Sequence, residues 1–247
     1  MSDEAAARQE PAPGAPSTWT GPAQGDARIT WGPGRVAAGI LAVLVTTLVE
    51  VGVISIFDPD LSSLGARLAA QAALAITLVG VAFVVTAGGD GLARRRALGL
   101  RPPVRSPLRF AAAGYLAYVV VALVYSALVH PHQRDVTRDL GFGHGGLGTI
   151  AAAVLIVAAA PISEEIFFRG FVFGGLRGRF SFPAAAVLSA AIFGVFHYSG
   201  SGSLEVLPQL ALLGLVLCWV YEQTGSIYPT MAMHALNNAI AFAILTS

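Results

Sequence analysis

The stretch Pro161-Ile-Ser-Glu-Glu-Ile-Phe-Phe-Arg-Gly170 places two adjacent carboxylates and an arginine at the end of an apolar run, Ile150 to Ile162. A charged side chain at bilayer depth costs a few kcal/mol or more, so an ionisable residue in such a run is a functional candidate. If the stretch is helical, Glu165 and Arg169 are four residues apart and can pair on one face. Glu164 then points about 100° away and lacks that partner. The stretch therefore predicts a membrane helix in which Glu164 is available for chemistry.

The composition of the whole chain also indicates a membrane protein. Of its 247 residues, 55% are hydrophobic and 12% are charged, whereas ordinary soluble domains carry roughly 25% charged residues. The 15 basic and 14 acidic residues give a net charge of +1, which argues against nucleic-acid binding. Cys218 is the only cysteine, so an intramolecular disulfide and a metal centre built from several cysteines are both excluded.

The apolar runs predict an all-α fold, a polytopic transmembrane helix bundle of about seven spans, because each crossing needs roughly 17 to 25 residues. Residues 1–33 are rich in Ala, Pro, Gly and charge, and they predict a disordered N-terminal tail without the features of a cleaved signal peptide. Residues 34–146 then hold three spans, and residues 147–247 hold four. The predicted spans are about 36–56, 68–87, 108–129, 147–174, 183–198, 204–221 and 227–245.

The arginines that flank the predicted spans give the orientation. With the N-terminus inside, the inner segments hold ten arginines and the outer loops hold three. Basic residues favour the cytoplasmic side of short loops. We therefore predict a multi-pass protein of the cell membrane with a cytoplasmic N-terminus. Arg94, Arg95 and Arg96 are interpreted as part of this signal, with a contact to anionic lipid as a weaker alternative.

Three further polar residues interrupt the predicted helices: His197, His234 and Asn238. At 1.5 Å per residue, Glu164 lies about 15 Å and His197 about 20 Å from the turn that joins the fourth and fifth spans. His234 lies about 10 Å into the last span from the same membrane face. Since the bilayer core is roughly 30 Å thick, these groups fall at comparable depth on three helices. We therefore expect them to form one site.

The residue types in this set suit hydrolysis of an acyl bond, with a peptide as the first candidate. A glutamate in an apolar environment can act as a general base, and with His197 beside it Glu164 can hold and deprotonate a water molecule. The imidazole of His234 and the amide of Asn238 can donate hydrogen bonds to a developing oxyanion. Taken alone, however, His234 and Asn238 are also typical of interhelical hydrogen bonding in membrane bundles.

These residues resemble the CPBP family, which comprises the type II CAAX prenyl proteases and bacterial bacteriocin-processing and self-immunity (Abi-like) proteins. Three motifs of that family are present in order: Glu-Glu-x-x-x-Arg at Glu164, Glu165 and Arg169, Phe-x-x-x-His at Phe193 and His197, and His-x-x-x-Asn at His234 and Asn238. Two further stretches are similar to the family, Leu98-Gly-Leu-Arg-Pro102 and Tyr221 to Pro229.

The resemblance implies an intramembrane endopeptidase whose catalytic part is residues 147–247, acting on a peptide or membrane-protein substrate. It implies that Glu164 and His197 activate water and that His234 and Asn238 stabilise the oxyanion, without an obligatory metal or other cofactor. Glu165, Arg169 and Phe193 are then supporting residues.

Three alternatives remain open. A zinc-dependent intramembrane protease would use Glu164, His197 and His234 as a His₂Glu ligand set with water in the fourth position. A non-catalytic membrane scaffold or immunity protein would bind a partner through the same cavity. A transporter is disfavoured, because the sequence shows no internal repeat.

Other polar residues receive no catalytic role. Glu50 and Glu222 are interpreted as helix-end or interfacial charges. His130, His132 and His144 lie in a predicted outer loop, where solvation is more typical than metal binding.

Overall fold

The computed structural model describes residues 29–87, 90–131, 146–198 and 204–246, and every regular element in these ranges is helical. The predicted all-α fold is therefore confirmed. The eight helices of the described residues are α1 Pro33–Phe57, α2 Leu64–Val85, α3 Gly91–Ala97, α4 Pro107–Val129, α5 Leu147–Arg177, α6 Phe182–Phe196, α7 Leu207–Thr224 and α8 Tyr228–Thr246.

Five of the described helices are long and apolar enough to cross a membrane: α1, α2, α4, α5 and α7, the last with a short 3₁₀ turn that precedes it. Helix α6 is apolar but has only 15 residues, fewer than a crossing usually needs. Helix α8 carries a histidine and two asparagines among its 19 residues. The predicted helices thus occur at the expected places, but two of the seven predicted spans do not have the length or apolarity of a full crossing.

The basic segment after α2 lies between two predicted spans, and it forms a short helix, α3. Helix α3 begins after Asp90, whose carboxylate accepts hydrogen bonds from the backbone amides of Leu92 and Ala93. An acidic residue in this position caps the amides that a helix start leaves unpaired. The helix ends at Ala97, and Gly99 follows with a φ of +78°, a conformation that glycine adopts without strain.

The last residues of the predicted N-terminal tail are ordered parts of the bundle. Trp31 is only 4% exposed, and its indole Nε1 donates a hydrogen bond of 2.8 Å to the backbone carbonyl of Phe171 in α5. The predicted disorder is therefore wrong for residues 29–33. A tryptophan side chain is stabilised by an apolar environment with an acceptor for its N–H group, and Trp31 finds both in the bundle. The rest of the predicted tail, residues 1–28, and the loop histidines His132 and His144 lie outside the described residues.

Helix α5 is the centre of the bundle, and it departs from α geometry twice. It is π-helical at Leu155–Ala159 and again at Glu165–Phe173. Every residue of the second π segment is buried. A π turn shifts the hydrogen-bond register by one residue, which turns the following side chains to a new direction and is frequent at functional sites. The predicted helix is thus present, but its faces are not those of a regular α-helix.

The two outlying stretches that resemble the CPBP family contact each other at the end of the bundle where α5 finishes. The amide of Ile227 donates to the carbonyl of Gly99 at 3.0 Å, and the amide of Val104 donates to the carbonyl of Thr224 at 2.9 Å. These two backbone hydrogen bonds join the connection between α3 and α4 to the connection between α7 and α8. The first of these connections also approaches α5 closely, because a Cβ added at Gly170 would lie 2.5 Å from the carbonyl oxygen of Leu98.

Candidate active site

Glu164 lies between two histidines that come from two other helices. Its Oε2 is 3.5 Å from Nε2 of His197, at the C-terminal end of α6, and 3.8 Å from Nε2 of His234 in α8. The side chains of Glu164 and His197 are 15% and 28% exposed, whereas that of His234 is 3% exposed. Three of the four residues expected to carry the chemistry are therefore brought together, and the group is open on the side of Glu164 and His197.

Glu165 joins the arginine of its own helix to one of these histidines. Its Oε1 is 3.0 Å from Nη1 of Arg169, and both side chains are completely buried. The same oxygen is 2.9 Å from Nδ1 of His234. The pairing of Glu165 with Arg169 follows the four-residue spacing of the sequence. The contact with His234 was missed, because nothing in the local sequence says which of the two glutamates faces α8.

Phe193 lies among the charged groups and packs against three of them. The guanidinium carbon of Arg169 is 4.3 Å from the centre of its ring, a cation–π arrangement that partly compensates for lost solvation. The ring centres of His197 and His234 are 4.5 Å and 5.8 Å from that of Phe193. Phe193 therefore holds both imidazoles and the arginine at fixed positions, which suits the supporting role that the sequence predicted.

The hydrogen bonds of the two imidazoles determine which of their nitrogens face Glu164. Nδ1 of His197 is 2.8 Å from the backbone carbonyl of Phe193. A carbonyl oxygen only accepts hydrogen bonds, so this Nδ1 carries the hydrogen. Nδ1 of His234 donates in the same way to the carboxylate of Glu165. In both neutral rings, Nε2 therefore presents a lone pair towards Glu164.

Two imidazole lone pairs and one carboxylate oxygen cannot hydrogen-bond to each other directly. In the described part of the chain, Oε2 of Glu164 is buried and has no hydrogen-bond partner. A buried acceptor without a donor is costly. A water molecule, which can donate two hydrogens, or one added proton would satisfy this group. The arrangement is thus suited to holding a water molecule or a proton between Glu164 and the histidines.

Asn238 forms a hydrogen bond with the backbone of α5 and not with Glu164, His197 or His234 in the described residues. Its Nδ2 donates a hydrogen bond of 3.0 Å to the carbonyl of Ile156, inside the first π segment. A π turn leaves a carbonyl group free to accept from a side chain. The four-residue spacing of His234 and Asn238 therefore places both side chains towards α5, at different points along it.

The zinc alternative concerns Glu164, His197 and His234, and it stays a hypothesis. Within residues 29–87, 90–131, 146–198 and 204–246, no group of three or more His, Cys, Asp or Glu side chains is arranged to hold a metal ion. His130, a described member of the predicted loop set, is exposed at the end of α4.

The two carboxylates that received no catalytic role make structural contacts. Glu222 forms an ion pair with Arg177 at 3.1 Å, which links α7 to the end of α5. Glu50 was interpreted as a helix-end or interfacial charge, but it lies within α1 and accepts a hydrogen bond from Thr77 of α2. Its position inside the bundle is explained by this polar contact between the two helices.

The site lies in the part of the chain that matches a known protein family. Residues 146–240 match the model of the family described as Type II CAAX prenyl endopeptidase Rce1-like. These residues include Glu164, Glu165, Arg169, His197 and His234, and they also include Asn238. The segment therefore contains all three motifs from which the CPBP resemblance was inferred.

Curated relatives show moderate similarity to the same chain. UPF0177 protein YxdF of Lactococcus lactis is 27% identical over 49% of this chain and 64% of its own length. Uncharacterized protein YyaK of Bacillus subtilis is 26% identical over 54% of this chain and 46% of its own length. The protein named "Putative membrane peptidase YdiL", also of Bacillus subtilis, is 30% identical over 36% of each chain. The matches thus cover between 36% and 64% of these relatives.

No solved structure matches the chain significantly. Over residues 146–240 the match to the Rce1-like family model confirms the resemblance that the motifs indicated.

Proposed function

We propose that this protein is an intramembrane endopeptidase that hydrolyses a peptide bond with water activated by Glu164 and His197. One observation carries the proposal: Oε2 of Glu164 lies within 3.8 Å of Nε2 atoms from two histidines on two other helices. Hydrolysis needs a base that can take a proton from water at the point where the scissile carbonyl binds. A partly exposed carboxylate beside two imidazole Nε2 atoms meets that need.

The reaction begins with a water molecule held between Glu164 and His197. As the water oxygen attacks the carbonyl carbon, Glu164 takes one of its protons and a tetrahedral oxyanion forms. When the carbon–nitrogen bond breaks, the leaving amine nitrogen takes the proton that Glu164 held. The second proton of the water stays with the new carboxyl group and is lost to the solvent. Nδ1 of His197 stays bonded to the carbonyl of Phe193 throughout, which keeps its Nε2 directed at the water.

The oxyanion is stabilised by His234 in its doubly protonated form. Because Nδ1 already donates to Glu165, Nε2 can donate to the oxyanion only when it carries a second proton. Glu165 and Arg169 neutralise each other, so a positive imidazolium at His234 would balance the negative charge of Glu164. Asn238 is the second predicted oxyanion donor, and its amide has one hydrogen that Ile156 does not use; its contribution stays a prediction. Removing one oxyanion donor typically costs about 10²–10³ in rate.

The substrate is a peptide segment that reaches the site within the membrane. Glu164 and His197 are the exposed members of the group, so the scissile bond approaches from their side. No cofactor takes part in this scheme. Most of the described arginines lie at the end of the bundle where α1 begins, which supports a cytoplasmic N-terminus and a location in the cell membrane.

The proposal is tested with purified protein in liposomes and a library of synthetic transmembrane peptides. Cleavage in water enriched in ¹⁸O places the label in the new carboxyl terminus if the reaction is a hydrolysis. We expect labelled products from the wild type and from Glu205→Gln, the same change at an exposed carboxylate at the start of the segment that leads into α7. Glu164→Gln should give none. Undiminished cleavage by Glu164→Gln would reject Glu164 as the base, whereas absence of any labelled product from the wild type would favour the non-catalytic scaffold alternative.

A further inference from the structure

A mainly apolar cavity with two arginines in its lining lies at the end of the bundle, where α2 finishes and α3 begins. It has a volume of about 420 Å³ and is lined by Phe83, Gly91, Leu92, Arg94 and Arg95. Both arginines belong to α3, and Phe83 belongs to the last turns of α2. The cavity is thus built from elements outside the matched segment 146–240 and contains two positive charges.

The guanidinium of Arg94 is held by one hydrogen bond, but one of its N–H donors has no acceptor in the described residues. Its Nη1 donates a hydrogen bond of 3.2 Å to the backbone carbonyl of Phe83. Its Nε is buried and has no hydrogen-bond partner in the described part of the chain. A buried donor without an acceptor is unfavourable, and a ligand that supplied the acceptor would relieve that cost. Arg95 is exposed beside it and can reach the same ligand.

The charged groups around the cavity favour an anion. Asp90 is the acidic residue next to it in sequence, and its carboxylate is engaged with the amides of Leu92 and Ala93. Two other arginines at this end of the bundle have partners within the protein. Arg101 donates to the carbonyl of Gly225, and Arg105 donates to the side chain of Gln223.

We propose that this cavity binds the phosphate group of an anionic lipid headgroup. Guanidinium groups donate paired hydrogen bonds that match the oxygens of a phosphate. The site lies where a transmembrane helix ends, which is the level of the headgroups, and basic pockets in this position bind anionic lipids. Leu92, which lines the same cavity, is 56% exposed and can contact the upper part of an acyl chain. This inference does not depend on the proposed peptidase activity.

The test compares two arginines of the same helix. Arg95 lines the cavity, whereas Arg96 is equally charged and exposed but does not line it. Purified full-length protein in neutral detergent is titrated with dioctanoyl phosphatidylglycerol, and the bound lipid is counted by native mass spectrometry. We expect Arg95→Gln to bind this lipid at least about fivefold more weakly, and Arg96→Gln to bind it as the wild type does. Arg94→Gln serves as a second cavity variant, provided that its thermal unfolding is unchanged.

Two further titrations identify the ligand. Dioctanoyl phosphatidylcholine, in which a choline cation balances the phosphate, should bind weakly to all variants. Inorganic phosphate alone should bind at least tenfold more weakly than phosphatidylglycerol. An equal loss in Arg95→Gln and Arg96→Gln would overturn the proposal in favour of general charge attraction. Equal binding of phosphatidylcholine would also overturn it, and tight binding of inorganic phosphate would assign the cavity to a soluble phosphate compound instead.

Discussion

The two adjacent glutamates of α5 lie in opposite environments. Glu165 is completely buried, and one of its oxygens contacts both Arg169 and His234. Glu164 is 15% exposed, and its Oε2 faces two imidazole nitrogens without a hydrogen-bond donor in the described residues. We call the group of Glu165 and Arg169 the sealed side of the site, and the group of Glu164 and His197 its open side.

This difference indicates that two adjacent residues of one helical turn have different roles, one in positioning and one in catalysis. On the sealed side, the charges neutralise each other and have no access to water, so they are suited to fixing positions. On the open side, Oε2 of Glu164 has no hydrogen-bond donor in the described residues, so this side is suited to binding water and exchanging protons. His234 belongs to both sides, because its Nδ1 contacts Glu165 while its Nε2 faces Glu164. The predictions that follow test this division.

The largest expected effect is the loss of activity on the open side. Glu164→Gln removes the base and should lower kcat by about 10²–10⁴. Its thermal unfolding in detergent should stay within about 2 °C of the wild type, since a partly exposed group that lacks a donor contributes little to stability. A variant that kept more than a tenth of the wild-type kcat would show that Glu164 is not the base.

On the sealed side, we expect a loss of folding stability. Arg169→Met leaves the buried charge of Glu165 uncompensated, and breaking such a pair typically costs about 3–5 kcal/mol. The double variant Glu165→Gln with Arg169→Met removes both charges and should be more stable than Arg169→Met alone. Unfolding in mixed detergent and SDS measures these free energies. If the single variant is as stable as the wild type, the pair does not hold the site together.

A smaller effect is expected where α5 meets the loop after α3. Gly170→Ala adds a Cβ that would lie 2.5 Å from the carbonyl oxygen of Leu98, so backbone must shift. We expect a loss of about 1–3 kcal/mol, as for other overpacked positions. Gly80→Ala in α2 is the matched control, because its Cβ would meet nothing within 4 Å. It should be neutral or slightly stabilising, and equal losses in both variants would contradict the close contact.

The smallest effect is expected from metal removal. Because the proposed mechanism activates water with Glu164 and His197 and needs no metal ion, dialysis against EDTA and 1,10-phenanthroline should leave peptide cleavage unchanged. Metal content by mass spectrometry is measured on the same sample. A loss of activity that added zinc restores would establish the zinc alternative with Glu164, His197 and His234 as the first ligands to test.

Much of the fold could be predicted because membrane helices are recognisable from their apolar composition. Long apolar runs mark the helices within a few residues, since a bilayer admits few other structures for the backbone. The order of Trp31 and the helix α3 were not predicted, for the opposite reason. Each is short, and the contacts that hold it are not visible in local hydrophobicity. Trp31 donates to the carbonyl of Phe171 and stacks on its ring, and α3 is capped by the carboxylate of Asp90.

The candidate site was predictable as a set of residues but not as a set of contacts. Helix depth and the order of the motifs indicated that Glu164, His197 and His234 could meet, and their atoms lie 3.5–3.8 Å apart. The hydrogen bond of Asn238 to Ile156 was not predictable, because it depends on a π turn in α5. A π turn is set by how neighbouring helices pack, and the apolar residues around Ile156 carry no local sign of it.

The sequence by itself determined that this chain is a helical membrane protein, that Glu165 and Arg169 share a helix face, and which motifs its polar residues form. These features depend on hydrophobicity and on spacing along one helix, so they are encoded locally. Only the tertiary structure decided that Glu165 fixes the Nδ1 hydrogen of His234 and that Glu164 faces both Nε2 atoms. Those contacts join three helices that are far apart in sequence, and their geometry follows from the packing of α5, α6 and α8 around Phe193.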